Sequence, residues 1–106
     1  MNSYNKYTDL QINELVATRL KKKCLLTEES VLAYMDSGYR TFDPCNNPSD
    51  AMPIVIENEI SMIKSSGGWM CCHGSVGQVE HESLYRGAME LFLMMKDADN
   101  ENNNNS

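Results

Sequence analysis

Apolar residues recur at helical spacing near the start of the chain, at Ile12, Leu15, Val16 and Leu20, and predict a helix over about 8–22. Thr8 with Gln11 three residues later matches a capping box, and Lys21-Lys22-Lys23 stands where cations complement a helix dipole. Residues 24–42 have two readings. Thr27-Glu28-Glu29-Ser30 can cap a second helix, but Val31–Met35 and Tyr39–Phe42 flank the turn signal Asp36-Ser37-Gly38. Two β-prone runs around such a turn favour a hairpin. Asn47 and Pro48 suit the cap and first position of a short helix over about 48–57, in which Pro53 removes one hydrogen bond. Ile60–Ile63 and Trp69–Cys72 flank Lys64-Ser65-Ser66-Gly67-Gly68 and predict a second hairpin.

Residues 73–82 read as a polar loop, and residues 1–7 as a polar arm. Ser83 is placed to cap a last helix over about 83–96, with Leu84, Ala88, Leu91, Phe92 and Met95 on its apolar face. Met89, Leu93 and Met94 widen that face almost around the helix. Either the helix is buried on several sides or part of it meets a partner, such as a second copy in a homodimer. Residues 97–106 are acidic and asparagine-rich and are expected to be a disordered tail. The pattern predicts one α+β domain over 1–96: two antiparallel hairpins in a small sheet, packed against an N-terminal and a C-terminal helix.

Composition narrows the function classes. The net charge is −6, and an acidic body argues against nucleic-acid binding, which needs a basic footprint. No stretch approaches a membrane span or a secretory leader, so reduced cysteines in a cytoplasm are expected. Eight methionines point to a plastic core or contact surface. Cys71-Cys72-His73, with Cys45 or His81, lacks the ligand spacing of a zinc site. A Cys45–His73 or Cys45–His81 pair lacks any local signature of an activated thiol. No metal, cofactor or catalytic residue is expected, and the chain reads as a binding protein rather than an enzyme.

The polar run Asp43-Pro44-Cys45-Asn46-Asn47-Pro48-Ser49-Asp50 carries the candidate binding residues. Asn46, Asn47 and Asp50 either contact a ligand or fold back on the backbone to close turns and cap a helix. Arg86, early on an apolar helix, either pairs with Asp43 or Asp50 or clamps an anion. Trp69, Tyr39 and Phe42 are the aromatics expected near the run, able to stack on a base or face a partner, with core packing favoured for Phe42.

Phe42, Asp43, Pro44, Cys45, Asn47, Pro48, Asp50, Ala51, Pro53 and Ile54, together with Arg86, Ala88, Met89, Phe92, Leu93, Met94 and Met95, resemble the NinX-like proteins of tailed phages. The likeness covers mainly residues 39–96. Met52 stands where the family usually has Trp, and Gly87 where Ala is common. The resemblance implies a phage or prophage accessory protein in the host bacterial cytoplasm, and it supplies no catalytic residue. Two binding functions follow as expectations. One is sequestration of a small anionic ligand, such as a signalling nucleotide used in antiphage defence; the other is engagement of a host protein, and behind both stands a third reading, a small thiol or hydrolytic enzyme.

Overall fold

The computed structural model describes residues 2–104, and side chains from 2 to 101. Helix α1 spans Asp9–Arg19 and opens on the expected capping box. The Thr8 hydroxyl accepts from Gln11 N–H at 3.1 Å, and the Gln11 side chain accepts from Thr8 N–H at 2.9 Å. The helix stops short of the lysine run. Lys21 takes a left-handed φ of 59°, while Lys21 and Lys22 donate back to Thr18 and Ala17 carbonyls. This is a Schellman closure with lysine where glycine is usual, so nothing in the sequence marked the stop. It turns the chain into strand β1, Cys24–Leu26.

Strands β2 (Val31–Met35) and β3 (Gly38–Thr41) form the favoured hairpin, with Asp36 at φ 58° in its turn. Helix α2 spans Pro48–Glu57, capped by Asn47. Strands β4 (Ser61–Ser65) and β5 (Gly68–His73) form the second hairpin. The α+β class is as expected, but each hairpin gains a third strand and belongs to its own sheet, β1-β2-β3 and β4-β5-β6. Strand β6, Gly77–His81, occupies the segment read as a polar loop. Only Val79 of this strand is buried, too thin an alternation to announce it.

Helix α3, Leu84–Asn104, is the axis of the molecule. Strands β5 and β6 pack on it, as do α1 and α2. Ala88, Met89, Leu91, Phe92 and Leu93 are therefore all buried. The wide apolar face is explained by burial on several sides: Met89 is buried, and Met94 and Met95 pack partly buried against the core. Met52 packs partly buried against this core. A Cβ on Gly87 would stand 3.1 Å from His81 Cβ and 3.4 Å from Cys71 Sγ, so glycine here lets α3 lie close on the second sheet.

Both ends depart from expectation. α3 continues past residue 96, and Asp97 receives hydrogen bonds from Arg19 and Tyr4. Those bonds hold a segment that composition alone assigns to a disordered tail. Residues 105–106 of the expected tail lie outside the described residues. The N-terminal arm is docked as well: Tyr4 is buried and Asn2 donates to Glu90.

The second sheet also contains a tight crossing. A Cβ on Gly68 would meet the His81 carbonyl oxygen at 2.5 Å and Glu82 Cα at 2.7 Å. Both obstacles are backbone and cannot rotate away. Gly68→Ala is expected to lower stability by about 2 kcal/mol or more, measured by denaturant unfolding, whereas Gly67→Ala, with open space around it, should change it far less.

Candidate functional site

Arg86 is buried, and every part of its guanidinium is engaged within the chain. Nε donates to Glu90 at 2.6 Å, and the terminal nitrogens donate to Asp9 at 2.7 Å and to the carbonyls of Tyr4 (3.0 Å) and Tyr7 (2.6 Å). Burial alone would lower its pKa, but the bonds to Asp9 and Glu90 raise it on balance, so the charge is permanent. Arg86 pairs with neither Asp43 nor Asp50, and four of its five N–H donors are taken by groups of the chain itself. Its position one turn before Glu90 and its reach to the arm make it the tie between the N-terminal segment and α3.

The 43–50 run is likewise turned inward. Asn13, buried on α1, donates to Asp43 at 2.7 Å and accepts from Cys45 N–H at 3.1 Å. Asp43 N–H donates to Asp50 at 2.9 Å. The Asn46 amide donates to Asp43 and Asp9. The Asn47 side chain accepts from Ser49 N–H as the cap of α2. These residues close turns and anchor the run to α1, as Asn and Asp commonly do.

The candidate residues therefore lie in separate places. Trp69 borders a cleft of about 320 Å³ beside the β4–β5 turn, with Glu80 and His81. The Lys64 ammonium sits 5.5 Å from its ring centre. Asn47 and Asp50 border a larger groove of about 550 Å³ between the end of α1, the β2–β3 hairpin and α2, where Lys22, Arg40, Phe42 and Glu57 join them. Tyr39 stands on the outer face of the first sheet, edge-on to Tyr34 with ring centres 5.3 Å apart. Arg86 borders neither the Trp69 cleft nor the groove beside the polar run.

Two surface features were not foreseen. The groove brings together the cations Lys22 and Arg40; Arg40 donates to Met35 Sδ at 3.3 Å and has a long 4.0 Å contact to Asp36. The outer face of the first sheet aligns Leu25, Leu32 and Thr41 in one cross-strand row and Tyr34 and Tyr39 in the next. Leu25 is 50% exposed, Tyr34 47% and Tyr39 37%. α1 packs on the opposite face, against Val31 and Ala33. Strand alternation could have shown which side chains share this face; it could not show that no element among the described residues packs over it.

The cysteines are free thiols. Burial, reinforced by the Asp9 carboxylate, pushes Cys45 far up, and burial with Cys72 and Glu90 pushes Cys71 to about 11. Neither has the lowered pKa of a nucleophile. Among the described residues, no three His, Cys, Asp or Glu side chains cluster to hold a metal ion, and no helix is long and apolar enough to cross a membrane. Compared with known protein families and with curated proteins, the chain matches none.

Arg86→Met is expected to lower stability by about 3 kcal/mol or more, because it leaves the Glu90 carboxylate buried without its partner. A double-mutant cycle with Glu90→Gln should show strong coupling. A loss below about 0.5 kcal/mol, the ordinary scale of surface substitutions, would free Arg86 for another role. The thiols give a second check. Half-exposed Cys24 and Cys72 should react with a disulfide reagent at pH 8 in the native protein, and buried Cys45 and Cys71 only on unfolding. Because folding raises the Cys71 pKa from 9.0 to about 11, its stabilising share is complete below pH 9 and is lost as pH rises towards about 11.

Proposed function

We propose that the protein is a non-catalytic binding module that engages a host protein through the outer face of its first sheet. The observation that carries this reading is the exposure of Leu25, Tyr34 and Tyr39 on one face, around half-buried Leu32. Aromatic and aliphatic side chains at the centre of a patch supply most of the affinity of protein interfaces. Lys23, its ammonium 5.9 Å from the Tyr34 ring centre, adjoins this face in a chain of net charge −6, so a partner with an apolar centre and an acidic group at its rim fits best. The resemblance to NinX-like phage proteins supports a phage or prophage accessory role in the bacterial cytoplasm.

A specific observation favours a second reading. Lys22 and Arg40 converge on a groove whose volume of about 550 Å³ suits a small ligand, and Asn47, Asp50 and Glu57 add polar contacts. A signalling nucleotide would place its phosphate on the two cations, with the carboxylates accepting from its sugar or base. Sequestration of such a ligand would then rest on Lys22 and Arg40 rather than on Arg86.

A photo-crosslinking residue at position 39, in bacteria making the protein, should trap one host protein. Purified, that protein should bind about tenfold or more weakly to Tyr34→Thr with Tyr39→Thr, a loss of about 1.4 kcal/mol, while the variant keeps its melting temperature. Equal trapping from position 63 on the second sheet would overturn the assignment of the face. Stabilisation by a cyclic or linear nucleotide, about 2.7 kcal/mol at a hundredfold excess over Kd and lost in Arg40→Ala, would establish the second reading in its place.

A further inference from the structure

Strand β1 is an open edge of the first sheet. The other edge strands each carry a charge, Arg40 in β3, Lys64 in β4 and Glu80 in β6, whereas β1 reads Cys24-Leu25-Leu26. Charged edges discourage strand addition, and an apolar edge invites it. Leu25 and Leu26 are 50% and 55% exposed there. The register fixes which backbone groups are free. Tyr34 N–H donates to the Lys23 carbonyl, and Thr27 N–H to that of Ser30, so Lys23, Leu25 and Thr27 turn their polar groups towards β2. Cys24 and Leu26 turn theirs outward, and no backbone hydrogen bond among the described residues occupies that edge.

The residues around β1 form a charge palindrome: Lys21-Lys22-Lys23 before it, Thr27-Glu28-Glu29 after it. An antiparallel pairing of two identical strands centred on Leu25 sets Cys24 opposite Leu26 of the other copy. It also carries the basic run of each copy to the acidic turn of the other. Centring on Cys24 or Leu26 would also use the outward groups but would lose this match.

We propose that this edge is a homodimer interface, in which β1 of two copies pairs antiparallel about a two-fold axis at Leu25. Each Cys24–Leu26 pair exchanges both its N–H···O bonds. Leu25 meets its own copy across the axis in a non-hydrogen-bonded position. The two sheets join in the order β3-β2-β1-β1-β2-β3. The interface is isologous and closes on itself, so it makes dimers and not fibres. The outer faces of both copies become one surface, which leaves Tyr34 and Tyr39 free.

Sedimentation of the full chain over a concentration series tests this. A monomer–dimer equilibrium is expected, weakened by high salt because flanking ion pairs contribute. Glu28→Lys with Glu29→Lys should raise the dimer dissociation constant about tenfold or more. Adding Lys21→Glu and Lys22→Glu, the residues set opposite Glu29 and Glu28, to that variant should restore it, which a merely misfolded protein could not do. Leu25→Cys in a Cys24→Ser, Cys72→Ser background should cross-link under mild oxidation, since non-hydrogen-bonded partners lie about 4.5 Å apart at Cα, within disulfide reach. Cys24 in otherwise native sequence should not cross-link. A chain that remains monomeric at high concentration, charge reversal without effect, or cross-linking through Cys24 instead of position 25 would overturn the proposal. None of these outcomes bears on whether a host protein docks on the outer face.

Discussion

The guanidinium of Arg86 organises this fold. It holds Glu90 on its own helix, Asp9 at the start of α1, and two carbonyls of the N-terminal arm. A buried carboxylate such as Glu90, without solvent access, is tolerable only with a cation and further donors around it. Asn2 adds one such donor. The arm would otherwise have little reason to settle, because residues 2–7 contribute only Tyr4 to the buried core. With the arm in place, α1 is fixed against α3, and Asn13 on α1 in turn receives the 43–50 run. One cation thus positions the arm, the first helix and, through it, the loop that launches α2.

Much of this architecture was legible in the sequence, and the parts that were not share a cause. The capping box at Thr8, the cap at Asn47 and the two hairpins follow from local chemistry, and local chemistry is what a sequence displays. The end of α1 was hidden because Lys21 occupies a left-handed position that usually advertises itself as glycine. Strand β6 was hidden because a solvated edge strand needs only Val79 inside. The extension of α3 was hidden because Asp97 gains its order from Tyr4 and Arg19, partners remote in sequence. For the candidate site, sequence identified the right residues and left their duty open. Asn46, Asn47, Asp50 and Arg86 bond inside the chain, while the exposed groups of the first sheet show themselves only when tertiary packing reveals which face has no cover.

The two sheets hold different stations. The second is clamped along α3 by β5 and β6, with Gly87 and Gly68 allowing close approach. The first rests chiefly on α1 through β2 and keeps tyrosines and leucines in water. The core is thus built on one side of the molecule and the sticky surface on the other. That division lets the surface face of the first sheet change its residues without disturbing α3.

The ties between the two chain ends, Tyr4 to Asp97, Asn2 to Glu90 and Asp9 to Arg86, join residues 77 to 93 positions apart. On the ribosome the arm and α1 emerge long before their partners on α3 have been made. Until then Asp9 must remain hydrated, and the apolar side of α1 lacks the helix that covers it. Folding in instalments is closed to these elements: their arrangement becomes reachable only once α3 has been made, so the arm and α1 wait unassembled until then.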